Sequence, residues 1–486
     1  MSLNKPENFI PPTPTPERSN TKDIKSTDDG NGRKIVGLEP RPENFSILRP
    51  GKDLTITDYL AAVESDKPLE ETFIFINPRQ GKTTRLVEAP HWRSISTEQH
   101  STYTDKTGLA HHFYDTNIKG CGYTKLSLLD GESLDDYDNL TRINEYGGKG
   151  IYGMARMAGT FTNHETGESI VETSKKLIEQ GLRTELYWAV GKLKQIPYKG
   201  KLTPIKKLQE LQVISSTDDE NEPFVPAIGV RLLKTNTRIE EIYQRLNSSK
   251  NPSQIDKDRA VTLYKKAFKI FNLELKDSDS RDWESLYNDN ELQNMKKSRQ
   301  SVKPRELKWG DSQSEQTFYE IFFRRMGKNL AVLLNNGILS EDLHSSNVTM
   351  AAEIVDIGDR HRWTYFAEYP DNEEAMENLK KYSGVRRSNI KDIRDIAYDL
   401  RFLLKAGNAL NMNVGNRDAL TKSLLNAFAK NLNNEQLREQ EYTHENVYEM
   451  AKRIFQKVLV EKENLPALKH GADIKDWMRI IKMDID

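Results

Sequence analysis

Apolar positions along the chain divide it into a first part that reads as strands and a second that reads as helices. The run TFIFIN at 72–77 is a short continuous apolar segment followed by the turn residues Asn77, Pro78 and Gly81, and it predicts a buried strand. RLVEA at 85–89 and HHFYDTNIK at 111–119 predict two more. Over 168–193, Val171, Leu177, Ile178, Leu182, Leu186, Val190 and Leu193 recur mostly at helical spacing, which predicts a helix with Gly181 as its candidate break. PFVPAIGVRLL at 223–233 returns to strand character. Beyond it, the segment 316–338 would turn Phe318, Ile321, Phe322, Leu330, Leu333 and Leu334 towards a core, with Gly337 as a stop signal. A strand-turn-strand signal at 346–358 precedes helices expected at 390–406, 417–432, 443–461 and 472–482. No repeat of fixed period is present. The expected class is α+β, with a sheet-rich first part and a helical second part.

Composition sharpens the boundaries. Residues 1–50 mix Pro, Asn, Asp, Ser and Lys with almost no apolar period, so they are expected to form a flexible tail. The sheet-rich lobe is then expected over 51–235 and the helical lobe over 236–486. The 72 basic and 73 acidic side chains nearly cancel, which argues against a nucleic-acid backbone or an anionic membrane as partner. No run approaches the roughly 18 apolar residues of a membrane helix. The opening MSLNKPENFIPPTPTPERSN lacks the apolar core of a secretory signal, so a cytoplasmic location is expected. Cys121 is the only cysteine, and it excludes an internal disulfide.

The densest chemistry lies in SEDLHSSNVTMAAEIVDIGD at 340–359, where Asp342 stands five residues before Asn347 and Asp356 nine residues after it. Transfer of a phosphoryl group needs a carboxylate to orient the acceptor hydroxyl and oxygen ligands to hold a divalent ion against the phosphates. Asp342 fits the first role, and Asn347 with Asp356 fits the second. In the bland alternative this is a polar loop that follows a helix.

This segment resembles two branches of the protein-kinase-like superfamily. Asp342 to Asn347 is similar to the catalytic loop of aminoglycoside and choline kinases, with Ser340 where their loop histidine stands, and VDIGD at 355–359 resembles their metal-binding strand end. The nine-residue step from Asn347 to Asp356 is that of the SelO family, known for transferring AMP to proteins; Ser346 occupies that family's acidic position before the ligand asparagine. Three further segments resemble SelO. YDTNIKGCGYT at 114–124 is similar to its Lys-Gly-x-Gly-x-Thr strand, which implies that Lys119 meets ATP phosphates and that Gly120 and Gly122 allow close backbone approach. RTELYWAVG at 183–191 resembles the family helix whose glutamate pairs that lysine, which implies the role for Glu185. Arg231 and Arg238 keep two arginines seven residues apart, implied phosphate ligands.

The resemblance implies a two-lobed protein-kinase-like fold, ATP with Mg2+ or Mn2+, and AMP transfer onto a protein or peptide hydroxyl. It leaves open a phosphotransferase that uses Asp342 as base, and a pseudokinase-type partner subunit in peptide or microcin maturation. A G-x-G-x-x-G pattern at 148–153 puts Gly148 and Gly150 either in a phosphate-facing loop or in an ordinary turn. The GKT at 81–83 lacks the first glycine of a P-loop, and His111 and His112, adjacent on a strand, would point to opposite faces rather than share a metal.

Overall fold

The computed structural model describes residues 27–28, 34–35, 45–76, 94–121, 155–156, 161–162, 168–198, 201–211, 217–219, 222–223, 225–247, 252–277, 306–336, 345–356, 387–439 and 444–465. The expected strand at 85–89 and the expected helix at 472–482 lie outside these residues.

An antiparallel sheet forms the first part. Its strands are β1 (Leu54–Tyr59), β2 (Val63–Ser65), β3 (Ser94–Thr104), β4 (Ala110–Lys119), β5 (Ala155–Arg156), β6 (Leu186–Leu193) and β7 (Pro226–Leu233), in the order β1-β6-β7-β4-β3-β2. The short β5 pairs with the start of β7, where β4 has ended. All eight positions of β7 are buried, as expected of an apolar run at the centre of a sheet covered on both faces. Arg231 is therefore an exception that needs a partner. TFIFIN contributes only Ile74–Ile76 as strand, and this pairs with Phe45–Ile47 apart from the main sheet.

The helix expected over 168–193 is two elements. Helix α1 (Ile170–Glu179) starts at Ser169, whose hydroxyl accepts the Val171 N–H at 3.2 Å. It stops before Gly181, which takes φ +93°, a left-handed conformation suited to glycine. LYWAVGKL then pairs on one side with β1 and on the other with β7, so strand pairing overrides a spacing that also fits a helix. The Ser174 hydroxyl accepts the Tyr187 N–H at 3.0 Å and fastens α1 across the new strand.

The second part is helical: α2 (Ile239–Asn247), α3 (Gln254–Lys276), α4 (Ser312–Asn335), α5 (Arg387–Ala409), α6 (Arg417–Asn431) and α7 (His444–Phe455), the last running into one π-helical turn, Gln456–Val460. Helix α4 is capped by Asp311, whose carboxylate accepts the Ser314 N–H at 3.0 Å, and it is buried along most of its length. Phe318 sits in the middle of this core, against Tyr264, Phe268, Phe271 and Phe322. Among the described residues no helix is long and apolar enough to cross a membrane. The architecture is α+β, an N-terminal sheet followed by a largely helical region.

Helices α4 and α6 touch at Gly327, where an added Cβ would lie 2.2 Å from the backbone oxygen of Leu424. Backbone cannot step aside as a flexible side chain can, so Gly327→Ala is expected to destabilise the fold by about 1–3 kcal/mol in urea unfolding. An unchanged midpoint would show that the helices separate freely.

Candidate functional site

Four separated stretches of chain meet where the sheet abuts the helical part. Lys119 ends β4, and the register that pairs it with Gly229 also pairs Asn117 with Arg231. The Asn117 side-chain oxygen accepts from Arg231 Nε at 2.7 Å. Glu185 immediately precedes β6, where Tyr187 pairs with Arg231, and its Oε2 accepts from Arg231 Nη1 at 2.6 Å. Both charged groups of this pair are fully buried.

Asp356 comes from a short hairpin. The Val355 N–H donates to the Asn347 carbonyl at 2.9 Å, the Thr349 N–H to the Glu353 carbonyl at 2.9 Å, and Val348 bridges Ile354 between them. Asn347 and Asp356, nine positions apart in sequence, are thereby held at neighbouring ends of one ladder. The hairpin is joined to the sheet because the Ile354 N–H donates to the Arg183 carbonyl at 3.0 Å. Asp356 itself takes φ +62°, which aspartate tolerates better than most residues, and its N–H donates to Glu185 Oε1 at 2.8 Å. One Glu185 carboxylate thus fixes both the Arg231 guanidinium and the left-handed backbone of Asp356. Asp356 Oδ1 in turn receives the Lys119 ammonium directly and lies 3.3 Å from Arg231 Nη1.

The charges are matched unevenly. Burial works against the charge of Arg231, but Glu185 and Asp356 more than offset it and hold the guanidinium protonated. Arg238, also buried, has its affinity for a proton reduced by burial and then by Arg231. Nη2 of Arg231 and Nε and Nη1 of Arg238 are buried with no hydrogen-bond partner among the described residues. Such donors are costly to leave unmet, and an anionic group is the natural partner for them.

The segment 234–239 that joins sheet to helices runs along the Asp356 hairpin. The Lys234 and Thr235 N–H groups donate to the buried Glu353 carboxylate at 2.7 and 3.2 Å, the Met350 N–H to the Thr237 carbonyl at 2.8 Å, and the Ile239 N–H to the Val348 carbonyl at 3.0 Å. Behind it, Arg183 and Arg325 share the buried Glu274, holding its carboxyl in the ionised form although burial opposes this.

The structure therefore brings together Lys119, Glu185, Arg231, Asn347 and Asp356, with Arg238 bridging Thr349 on the same hairpin. Ser346 lies in the turn Ser345–Asn347, half-buried, and Gly120 follows Lys119 with φ +83°. Asp342, Gly122, Gly148 and Gly150 lie outside the described residues. Two expectations change. Glu185 is not helical, because the chain has already turned at Gly181 and is entering β6; and the carboxylate that receives Lys119 is that of Asp356. The sequence reading missed Asn117 and Glu353. Asn117 stands two residues before Lys119, on the same face of β4, and that period was a usable signal. No protein-family model matches the chain, and no curated protein matches it.

Removing one member of the Glu185–Arg231 pair strands a buried charge, so Glu185→Leu and Arg231→Met should each cost about 3–5 kcal/mol. The double variant should lose less than the sum in urea unfolding, and strict additivity would show that the two groups act independently.

Glu241, whose Oε1 accepts the Arg238 N–H at 2.8 Å, is pushed by burial up to about 7. The folded chain then binds more protons than the unfolded one between the ordinary carboxyl range and pH 7, so this contribution to stability is lost as pH rises through that window. Glu241→Gln should therefore show a smaller fall in unfolding midpoint between pH 5 and pH 8 than the parent protein; equal falls would place the titration elsewhere.

Proposed function

We propose that the chain is an ATP-dependent transferase with a two-lobed, protein-kinase-like arrangement, moving AMP onto a protein or peptide hydroxyl as the SelO resemblance implies. The observation that carries this reading is the contact of Lys119 and Arg231 with Asp356, while Asn347 is tied to the same hairpin. Lysine on a strand, two arginines, and an Asn/Asp oxygen pair are the groups that a polyphosphate and its counter-ion need, and here they come from distant segments to one place.

The residues fit the ligands. Buried guanidinium N–H groups of Arg231 and Arg238 without partners suit phosphate oxygens. Asn347 and Asp356 offer the oxygen donors that Mg2+ or Mn2+ takes. A divalent ion held there supplies charge neutralisation for the phosphates. Lys119 and the arginines bind and orient the phosphate chain, Glu185 keeps Arg231 charged and Asp356 in position, and burial of the set limits water. In AMP transfer the acceptor oxygen bonds to the α-phosphorus, the bond to the bridging oxygen breaks, pyrophosphate leaves, and the hydroxyl proton passes to a carboxylate, for which Asp342 is the candidate. AMP transfer is favoured over phosphate transfer because the spacings of Lys119, Glu185, Arg231 and Arg238 resemble those of SelO.

Calorimetric titration should give saturable binding of ATP with magnesium, and ATP labelled separately at the α and γ positions should leave α label on the acceptor. Asp356→Ala should abolish transfer, because it removes an oxygen ligand, while leaving the protein folded. Label fixed from the γ position instead would turn the reading into a kinase with Asp342 as base. Absence of any ATP binding, with cellular function intact in Asp356→Ala and a co-purifying subunit, would replace catalysis with a partner role in peptide maturation.

A further inference from the structure

We propose that His100, His112 and Asp277 form a site for a divalent transition ion of the zinc class, clamping the β3–β4 hairpin to the C-terminal end of α3. This is independent of the ATP site.

One ligand atom from each of the three residues lies within 4.8 Å of the others. The sheet brings the histidines together. Thr102 pairs with His112, and between Glu98 and Ser101 the register slips by one residue, so that Gln99 and His100 both stand opposite Tyr114. A bulge of this kind re-aims a side chain. His100 stacks on His112 and on Tyr114, with ring centroids 5.7 and 5.6 Å apart, and so shares their face of the hairpin. His111 points to the other side, with Nε2 3.2 Å from Asp105. Asp277 arrives from elsewhere as the residue that ends the 23-residue helix α3.

Two features beyond proximity match a metal site. Ligating side chains are usually oriented by a hydrogen bond from their second polar atom. His112 Nδ1 lies 3.1 Å from the Thr102 hydroxyl, and Asp277 Oδ2 accepts the Tyr114 hydroxyl at 2.6 Å. These hydrogen bonds fix the orientation of the His112 ring and of the Asp277 carboxylate. The second feature is the helix end: the carbonyl terminus of α3 carries partial negative charge, which favours a cation there.

Two imidazoles and one carboxylate suit zinc, with water completing four-coordination. Bonds of about 2.0–2.1 Å require ligand atoms about 3.3 Å apart in a tetrahedron, so the group must contract. The His100 and His112 rings are nearly parallel, 14° apart, and their in-plane lone pairs converge once one ring turns. His100 is the exposed member, so it can turn without disturbing the core.

The test uses the full chain, treated with EDTA, desalted and titrated with zinc sulfate by calorimetry, with melting temperature and the visible spectrum of the cobalt(II) form as second readouts. One ion per chain is expected, with a raised melting temperature and a cobalt spectrum of low coordination number. His100→Gln, His112→Ala and Asp277→Asn should each weaken zinc binding at least about tenfold. Asp277→Asn keeps an acceptor for Tyr114 and His100 is exposed, so these two variants should fold as the parent does. Asp356→Ala should leave zinc affinity unchanged. No zinc binding to the folded chain would overturn the proposal, as would binding that survives in all three variants or is lost only in Asp356→Ala.

Discussion

The arrangement depends on one carboxylate. Glu185 is fully buried, and each of its oxygens is committed to a different element: Oε2 to the guanidinium of Arg231 in β7, Oε1 to the backbone N–H of Asp356. A buried carboxylate and a buried guanidinium are each expensive, and they are tolerable only as a pair with their remaining hydrogen bonds met. Asn117 meets Nε of the arginine, while Glu185 meets Nη1. What is left over is Nη2, together with two donors of Arg238. Buried guanidinium donors with no acceptor among the described residues are the feature on which the proposed phosphate reading rests.

The same pair explains why the sheet and the helical part meet where they do. Asp356 could be presented by any loop, but its left-handed backbone needs an acceptor for its N–H, and Glu185 provides one only when the hairpin lies against the start of β6. The Ile354–Arg183 hydrogen bond and the Thr184–Ile354 bridge extend this contact by two residues. Packing then follows from placement, with Arg183 reaching the Ala351 carbonyl at 2.7 Å and the Glu274 carboxylate.

Much of this was legible in the sequence, for identifiable reasons. The long apolar helices around Phe318 and Leu424, and the strand carrying Arg231, have patterns that predict the elements observed. The strand-turn-strand signal at 346–358 was legible too, and over its described part, 346–356, the chain forms the hairpin that carries Asn347 and Asp356. The segment 168–193 was ambiguous because its apolar residues fit a helix as well as two shorter elements, and the decision was made by neighbours far away in sequence, β1 and β7. Glu185 suffered the same fate: its position was marked by a motif, its partner by tertiary contacts that no local pattern carries. His100 was invisible for a further reason, since a one-residue register slip in β3 decides which face it occupies.

The connection between the two parts has mechanical consequences. Chains that open and close about a cleft usually bend at a segment whose backbone groups are solvated and therefore cheap to rearrange. Residues 234–239 are the opposite, with N–H and carbonyl groups engaged by Glu353, Met350 and Val348. Rotation at that segment would break several hydrogen bonds at once and expose a buried carboxylate, so it would be a cooperative, all-or-none event rather than a soft fluctuation. The junction behaves as a weld that holds the end of β7 against the Asp356 hairpin.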